Sequence, residues 1–324
     1  MARISLLAGA ALCVAGPAQA TNFPLPRDQK ANSTQDERME AARLQTALAK
    51  AAFSPGLIDG KPGRKTALAL ELFQRAHGIA PSGKLDEPTT QALGLSSETP
   101  WTRTYRITSA DVDLITGPIP EDWNERATLE VCGYATLHEL LAERGWCSME
   151  LVQLLNPGIN LEELASGSTV QLPDVPDVFK PQSKGISGIV RLEVDQTSKM
   201  VRAFDKGGMV IALFHCSIAA AEEHRPSGDL TVQVVVTDPD YTFDPAVWPE
   251  VTNVSSKLRI APGPRNPVGL AWIGLSKPGY GLHGTVRPQD IGKTGSHGCF
   301  RLANWDALRL VRSVRTGMPV HVLD

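Results

Sequence analysis

The spacing of apolar residues is helical in the first part of the chain. From Glu37 onward they recur every three or four positions, which predicts three helices, over 37–51, 65–77 and 86–93. Asp86 is a candidate cap for the third helix, with Pro88 in its first turn. Turn-rich segments separate the helices, so this part predicts a small three-helix bundle over residues 37–95.

Beyond residue 186 the pattern becomes that of strands. Apolar residues alternate with polar ones or form short continuous runs, and turn residues separate the runs. One stretch, 303–314, keeps helical spacing. The expected strands cover 189–194, 200–204, 210–214, 230–236 and 320–323. Residues 186–324 therefore predict a mostly-β domain with one late helix.

Residues 104–173 have a mixed pattern. A strand is expected over 105–114, and two short helical patterns follow from Leu137 and Leu151. After the turn Asn156-Pro157-Gly158, a second strand ends at Pro173. Polar or proline-containing linkers, 95–103 and 174–184, flank this stretch. It predicts a small α+β module, and the whole chain is predicted to be multidomain.

The first twenty residues have the pattern of an export signal. Arg3 precedes the apolar segment Ile4–Ala15, which is too short to span a bilayer. Ala18-Gln19-Ala20 has the small-residue spacing of a cleavage site, so we expect residues 1–20 to be removed after Ala20. No later apolar segment is long enough for a membrane helix. These features predict a soluble, exported protein without a transmembrane segment.

Composition limits the classes of function that fit the chain. It also indicates which cysteines are structural and which is reactive. A net charge of −3 with 21% charged residues gives no sign of nucleic-acid binding. In an oxidising compartment, Cys132 and Cys147, which share one small module, are the candidates for a disulfide, although two free buried thiols are the alternative. Cys216 lies in an apolar run and is expected to be a buried strand residue. Cys299 is then the cysteine expected to remain reactive.

The segment Ser296-His297-Gly298-Cys299-Phe300-Arg301, with His283-Gly284-Thr285 upstream, carries the candidate chemistry. It places one thiol near two imidazoles. A cysteine attacks carbonyl carbon as its thiolate, which a nearby base or cation helps to form. The other histidines lack the spacing of metal ligands, and this chemistry requires neither metal nor cofactor.

Residues around the cysteine have candidate supporting roles. Gly298 leaves room for a substrate backbone, and the N–H groups of Gly298 and Cys299 are candidates for an oxyanion hole. Ser296 and Arg301 are expected to hold the loop or a substrate carboxylate. A structural ion pair is the alternative role for Arg301.

Two segments of the N-terminal part resemble known wall-associated modules. Residues 37–95 resemble the three-helix peptidoglycan-binding domain. The matching segments are Leu44-Gln45, Gly56–Gly63, Thr66-Ala67, Phe73-Gln74, Gly78-Ile79, Gly83 and Thr89 with Leu93. Residues 104–173 resemble a LysM-type module at Leu137, Leu141, Leu154, Asn156, Pro157, Gly167, Val170 and Pro173. These resemblances imply binding to peptidoglycan, with a packing role as the alternative for the second module.

Residues 186–324 resemble the L,D-transpeptidase catalytic domain of the YkuD type. The matching segments are Arg225–Gly228, Asn266–Gly269, His283–Thr285, Ile291-Gly292, Ser296–Leu302, Asn304, Asp306, Ala307 and Gly317–Val320. The resemblance implies Cys299 as nucleophile and His283 as proton donor and acceptor. Gly284, His297, Ser296, Gly298 and Arg301 would support them. A backbone carbonyl or the Thr285 hydroxyl would orient the imidazole.

The resemblance also implies a reaction. A Cys299 thioester would form on a peptidoglycan tetrapeptide stem, and an amine of a second stem or of an outer-membrane protein would accept the acyl group. We expect a periplasmic crosslinking or protein-attaching enzyme. An L,D-carboxypeptidase, with water as acceptor, and a non-catalytic glycan-binding protein are the alternatives.

Overall fold

The structure of the protein is a computed structural model, which describes residues 34–96, 98–248, 250–293, 295–296 and 298–324. The expected export signal, residues 1–20, lies outside the described residues, and so does His297. Among the residues that are described, no helix has the length and apolar character needed to cross a membrane.

The N-terminal domain contains the three expected helices: α1 (Gln35–Lys50), α2 (Arg64–Ala76) and α3 (Glu87–Ala92). Asp86 caps α3 as expected, because its carboxylate accepts the Thr89 N–H.

Two buried glutamines hold the loops of this domain. The side-chain oxygen of Gln45 accepts the N–H groups of Asp59 and Gly60, at 3.0 and 2.9 Å. Gln74 bonds its own loop in a similar way, accepting the Gly83 N–H at 2.9 Å. The loops therefore depend on side-chain hydrogen bonds as well as on their turn residues.

The middle module contains β1 (Thr102–Arg106), α4 (Ser109–Asp113), α5 (Trp123–Arg126), α6 (Leu137–Arg144), α7 (Met149–Leu155) and β2 (Thr169–Pro173). The strands pair antiparallel, with the helices between them in the chain. The prediction of a single strand over 105–114 is wrong. Thr108 and Asp111 form a capping box that starts a helix immediately after β1.

The C-terminal domain is built on an eight-stranded sheet. Its elements are β3 (Arg191–Asp195), β4 (Met200–Phe204), β5 (Val210–His215), β6 (Gly228–Thr237), β7 (Tyr241–Phe243), β8 (Leu258–Ile260), β9 (Ala271–Leu275), β10 (Gly281–His283), β11 (Phe300–Arg301), α8 (Asn304–Val311) and β12 (Pro319–Leu323). The strand order is β11-β10-β9-β6-β12-β3-β4-β5, while β7 and β8 form a separate hairpin. The mostly-β prediction is confirmed. Helix α8 packs against the sheet, and its residues are buried along the whole length of the helix.

The N-terminal domain covers the β5 edge of this sheet. The Leu213 N–H donates to the Ala52 carbonyl at 2.9 Å, and the Ser54 N–H donates to the Leu213 carbonyl at 3.0 Å. Phe53 and Leu213 also share one apolar cluster with Phe73. An uncovered strand edge is a template for unwanted pairing, and this contact removes it.

The middle module also contacts both neighbours. The Ile58 N–H donates to the Trp146 carbonyl at 3.0 Å, which joins it to the N-terminal domain. The indoles of Trp146 and Trp305 stack with centroids 6.2 Å apart, which joins it to α8. The three units therefore share a continuous apolar core.

The cysteines correct one expectation. Cys132 and Cys147 are both free and buried, so the expected disulfide between them is not formed. They belong to different apolar clusters: Cys132 packs with Phe243 and Ile260, whereas Cys147 belongs to the core that contains Ile58. The shared module suggested by the sequence does not bring them together, because Cys132 is bound to the C-terminal domain through the Pro262 carbonyl.

Candidate active site

Cys299 and His283 lie at adjacent strands at the edge of the sheet. Strands β10 and β11 run parallel, with Leu282 beside Phe300 and His283 beside Arg301. One further step in this register places Cys299, which directly precedes β11, beside Gly281. The nucleophile candidate and the base candidate are thus two positions apart along neighbouring strands, about 7 Å along the strand direction.

His283 is held in one orientation. Its side chain is buried, with the residue 5% exposed, and its Nδ1 lies 2.6 Å from the Gly284 carbonyl oxygen. A carbonyl only accepts, so Nδ1 carries the proton and Nε2 keeps a free lone pair. The indole of Trp272 stacks on the imidazole, with centroids 5.7 Å apart. Of the two expected orienting groups, the backbone carbonyl performs this role, and the Thr285 hydroxyl instead accepts the Arg287 N–H.

Burial also sets the charge of His283. It lowers the pKa of His283 to about 4, because the charged imidazolium loses its hydration. Hydrogen bonds to the backbone at Gly284 and Val268 oppose this effect, and the positive charge of Arg301 adds to it. The imidazole is therefore neutral at pH 7. A neutral imidazole with a free Nε2 is the form that can take a proton from a thiol.

Gly284 is required by a close contact behind the histidine. A Cβ at this position would lie 2.0 Å from Oδ1 of Asn304. That oxygen accepts the Leu270 N–H at 3.1 Å, and the Asn304 Nδ2 donates to Glu143 of the middle module at 2.7 Å. The Asn304 amide thus fixes the backbone that follows His283. Asn304 belongs to the family pattern given above, but its role behind His283 was not predicted from the sequence. The sign of this role is a buried amide that packs against two small residues.

Ser296 shapes the turn that contains the cysteine. Its hydroxyl donates to the Cys299 carbonyl at 2.5 Å and accepts the Gly298 N–H at 3.2 Å. These two hydrogen bonds give the geometry by which Ser296 holds the loop. Because the Gly298 N–H is engaged with this hydroxyl, the Cys299 N–H is the better candidate for stabilising an oxyanion.

Gly298 lies against an aromatic ring. A Cβ at this position would come 3.2 Å from Cε1 of Tyr280. The small residue therefore admits the Tyr280 ring next to the cysteine turn, while the expected room for a substrate backbone stays a prediction.

Arg301 is the cation nearest the reacting groups. Its guanidinium donates to the Gly295 carbonyl at 3.3 Å, and its positive charge favours the thiolate of Cys299. Within the stretches of chain that the structure describes, no carboxylate forms an ion pair with it. The ion-pair alternative for Arg301 therefore has no support, and its charge faces the active site.

The Cys299 thiol is protonated at neutral pH. Burial raises its pKa, and the backbone near Gly281 and the charge of Arg301 oppose this only in part. Its Sγ lies 3.4 Å from the Gly279 carbonyl oxygen, to which the thiol hydrogen can be donated. The arrangement thus holds a neutral thiol near a neutral imidazole, and a base must remove the proton as attack occurs.

Family comparisons agree with this geometry. Residues 189–322 match the family described as "L,D-transpeptidase catalytic domain", the YkuD family, and residues 38–93 match the "Putative peptidoglycan binding domain". Residues 189–322 are thus an L,D-transpeptidase catalytic domain of the YkuD type, and residues 38–93 are a peptidoglycan-binding domain. Residues 104–173 lie outside both matches, so their LysM-like assignment stays a prediction.

Two Bacillus proteins are similar to the chain. The "Putative L,D-transpeptidase YkuD" of Bacillus licheniformis is 25% identical over 189 residues, which is 58% of this chain and 93% of that protein. The "Putative L,D-transpeptidase YqjB" of Bacillus subtilis is 29% identical over 121 residues, 36% of this chain and 61% of that protein.

Solved L,D-transpeptidase structures are also similar. An L,D-transpeptidase from Mycobacterium smegmatis is 16% identical, with a TM-score of 0.33, and covers 50% of this chain and 65% of its own. An L,D-transpeptidase from Xylanimonas cellulosilytica is 16% identical, with a TM-score of 0.34, and covers 94% of this chain and 100% of its own.

Proposed function

We propose that the protein is a cysteine L,D-transpeptidase that acts on peptidoglycan tetrapeptide stems in the periplasm. The observation that carries this proposal is the neutral, oriented imidazole of His283 on the strand adjacent to Cys299, two register positions away, in a YkuD-type domain. A peptidoglycan-binding domain in the same chain supports the choice of substrate.

The proposed reaction has two steps. In the first, His283 takes the thiol proton and Sγ of Cys299 attacks the carbonyl carbon of the third stem residue. The bond to the terminal D-Ala breaks, and its nitrogen leaves as an amine after receiving that proton. In the second, an acceptor amine loses a proton to His283 and attacks the thioester carbonyl carbon. The bond to Sγ breaks as the new amide forms, and His283 returns the proton to the Cys299 sulfur.

The acceptor amine would belong to a second stem or to an outer-membrane protein. The proposed periplasmic location rests on the export pattern of residues 1–20.

Product analysis tests the proposed reaction. The protein lacking residues 1–20 would be incubated with a disaccharide-tetrapeptide, and the products identified by mass spectrometry beside Cys299→Ala. Crosslinked dimers and free D-Ala from the wild type alone support transpeptidation. Tripeptide without dimers would instead identify an L,D-carboxypeptidase, and an unchanged substrate would refute both reactions.

We propose that residues 104–173 form a LysM-like module that adds a second contact to the glycan. The antiparallel pairing of β1 with β2 around α6 and α7 supports this proposal. Retention of the full chain on purified sacculi tests binding. Arg106→Glu, at the exposed end of β1 in this module, should weaken retention, and so should Lys61→Glu, in the exposed loop of the peptidoglycan-binding domain. Lys206→Glu, in the exposed turn between β4 and β5, should not. Retention unchanged by Arg106→Glu would contradict a glycan contact by residues 104–173, and equal losses in all three variants would indicate a general charge effect.

A further inference from the structure

The peptidoglycan-binding domain reaches the loop that carries the nucleophile. Lys65, in the first turn of α2, donates from Nζ to the Ile291 carbonyl at 2.5 Å. Ile291 lies in the segment between β10 and β11, that is, between His283 and Cys299. Lys65 and Ile291 are not among the reacting groups, and neither lies in the loop 56–63 of the peptidoglycan-binding domain.

The contact is partly buried. Desolvation lowers the pKa of Lys65, and the nearby charge of Lys293 adds to this effect, while Asp59 and Asp306 oppose it. Ile291 is 4% exposed. A hydrogen bond from a partly dehydrated ammonium group is stronger than an exposed one, so it can hold a loop in one position.

Further hydrogen bonds connect the segment around Ile291 to the turn that contains Cys299. Next to Ile291, the Gly292 N–H donates to the Ser217 hydroxyl at 2.9 Å. The backbone of Ser217 exchanges two hydrogen bonds with that of Arg301, at 2.9 and 3.0 Å. Arg301 is two residues beyond the nucleophile.

The other side of the cysteine is tied to the same segment. The Ser296 N–H donates to the Ile218 carbonyl at 2.8 Å, and the Ala220 N–H donates to the Ser296 carbonyl at 3.0 Å. Residues 217–220 therefore hold both flanks of the cysteine turn, and Ser217 also holds Gly292.

A second lysine, from within the catalytic domain, holds the adjacent carbonyl. Lys199 donates from Nζ to the Gly292 oxygen at 3.0 Å. The two consecutive carbonyls are thus fixed by cations from opposite domains. The Gln45 amide donates to Asp59 at 3.1 Å and to the Thr66 hydroxyl at 3.3 Å, so it connects the loop of this domain to the residue that follows Lys65.

We propose that Lys65 is a positioning residue for the catalytic loop, so that the peptidoglycan-binding domain sets the geometry of the Cys299 turn. This proposal rests on the proposed function where the test measures enzymatic activity. It does not rest on that function where the test measures the reactivity of the Cys299 thiol. Misplacement of a reacting group by about 1 Å can lower a rate about 100-fold.

The test uses the full mature chain with Lys65→Met, which keeps an unbranched stem as far as Cε and removes the charged donor. Lys65→Gln is a second neutral variant, whose amide ends one atom short of the lysine Nζ, and Lys65→Arg restores a cationic donor. Arg64→Met, at the exposed neighbouring position, is the matched control. Each protein is assayed for D-Ala release from tetrapeptide and for the rate at which iodoacetamide alkylates Cys299, after circular dichroism confirms its fold.

We expect Lys65→Met and Lys65→Gln to lower kcat about 10- to 100-fold with little change in KM, and to change the alkylation rate at least threefold. Lys65→Arg should recover most of both, and Arg64→Met should match the wild type. Wild-type kcat and alkylation rate in both neutral variants would overturn the proposal, as would equal effects of Arg64→Met. If the wild-type protein releases no D-Ala, the proposed function fails, but the alkylation rates still decide the role of Lys65.

Discussion

The Nδ1 atom of His283 lies 2.6 Å from the carbonyl oxygen of Gly284, the next residue in the chain. This bond selects the tautomer in which Nε2 is unprotonated, and burial keeps the ring neutral. The same backbone segment is held by Asn304, whose amide occupies the space where Gly284 would carry a side chain.

His283→Ala should abolish most of the activity while leaving the protein folded. Removal of a general base costs typically about 10²–10⁴-fold in rate. D-Ala release measures the loss, and Cys299 alkylation at pH 7 should slow in parallel. His321→Ala, on the partly exposed strand β12, is the control and should retain wild-type rates. Equal activity in His283→Ala and wild type would remove His283 from the mechanism.

The pH dependence of thiol alkylation should distinguish a neutral pair from a preformed thiolate–imidazolium pair. Because burial raises the pKa of the Cys299 thiol and lowers the pKa of His283 to about 4, both groups are neutral at pH 7. The alkylation rate should therefore rise through the alkaline range, above pH 9. A plateau that extends down to pH 5 would instead indicate an ion pair and would contradict the assignment.

Gly284→Ala should cost both stability and activity, because its Cβ would lie 2.0 Å from the Asn304 oxygen. Overpacking of this kind costs typically about 1–3 kcal/mol. Gly317→Ala is the control: it has open space but a φ of +82°, so only backbone strain of about 1–2 kcal/mol is expected. Urea unfolding and D-Ala release should separate them, with activity lost in Gly284→Ala alone. Full activity in Gly284→Ala would show that the Asn304 contact does not position His283.

Asp306 links stability to pH at the interface between the N-terminal and catalytic domains. Burial raises its pKa to about 7, although the Ser54 hydroxyl donates to it at 2.9 Å and Arg309 and Lys65 oppose the shift. A folded-state pKa above the unfolded value of 3.8 means that the stability contributed by the protonated carboxyl is lost as pH rises toward and through 7.

Asp306→Asn removes this titration. The unfolding free energy of the variant relative to wild type should therefore improve between pH 5 and pH 8, by about 2 kcal/mol. Buried His283 and His215 titrate equally in both proteins, so their effects cancel in the difference. Urea unfolding at both pH values measures it, with the exposed Glu98→Gln as control. A difference that is constant with pH would mean that Asp306 is already charged at pH 5.

The sequence was sufficient to predict the elements with strong local signals. The three N-terminal helices follow from their periodicity and from the cap at Asp86, and most strands of the catalytic sheet follow from their apolar runs. The candidate pair Cys299 and His283 came from the resemblance to the YkuD-type domain. In the structure, the adjacent strands β10 and β11 bring the two motifs to one edge of the sheet.

One local signal was missed: the capping box of Thr108 and Asp111 lies in a segment whose apolar residues alternate as in a strand. Features that depend on long-range contacts were not predictable. Cys132 and Cys147 are separated because the first packs on the catalytic domain, a contact without a sequence signal. The roles of Asn304 and Lys65 depend on neighbours from other domains, Glu143 and Ile291, that are distant in the chain.

The central claim, that Cys299 forms a thioester with the stem, is tested most directly by intact-protein mass spectrometry. The mature chain would be mixed with tetrapeptide and quenched with acid at short times, beside Cys299→Ala. We expect a transient gain on the wild type equal to the mass of the stem minus D-Ala, located at Cys299 by digestion and absent from the variant. D-Ala release without any adduct at Cys299, or with equal release by Cys299→Ala, would contradict it.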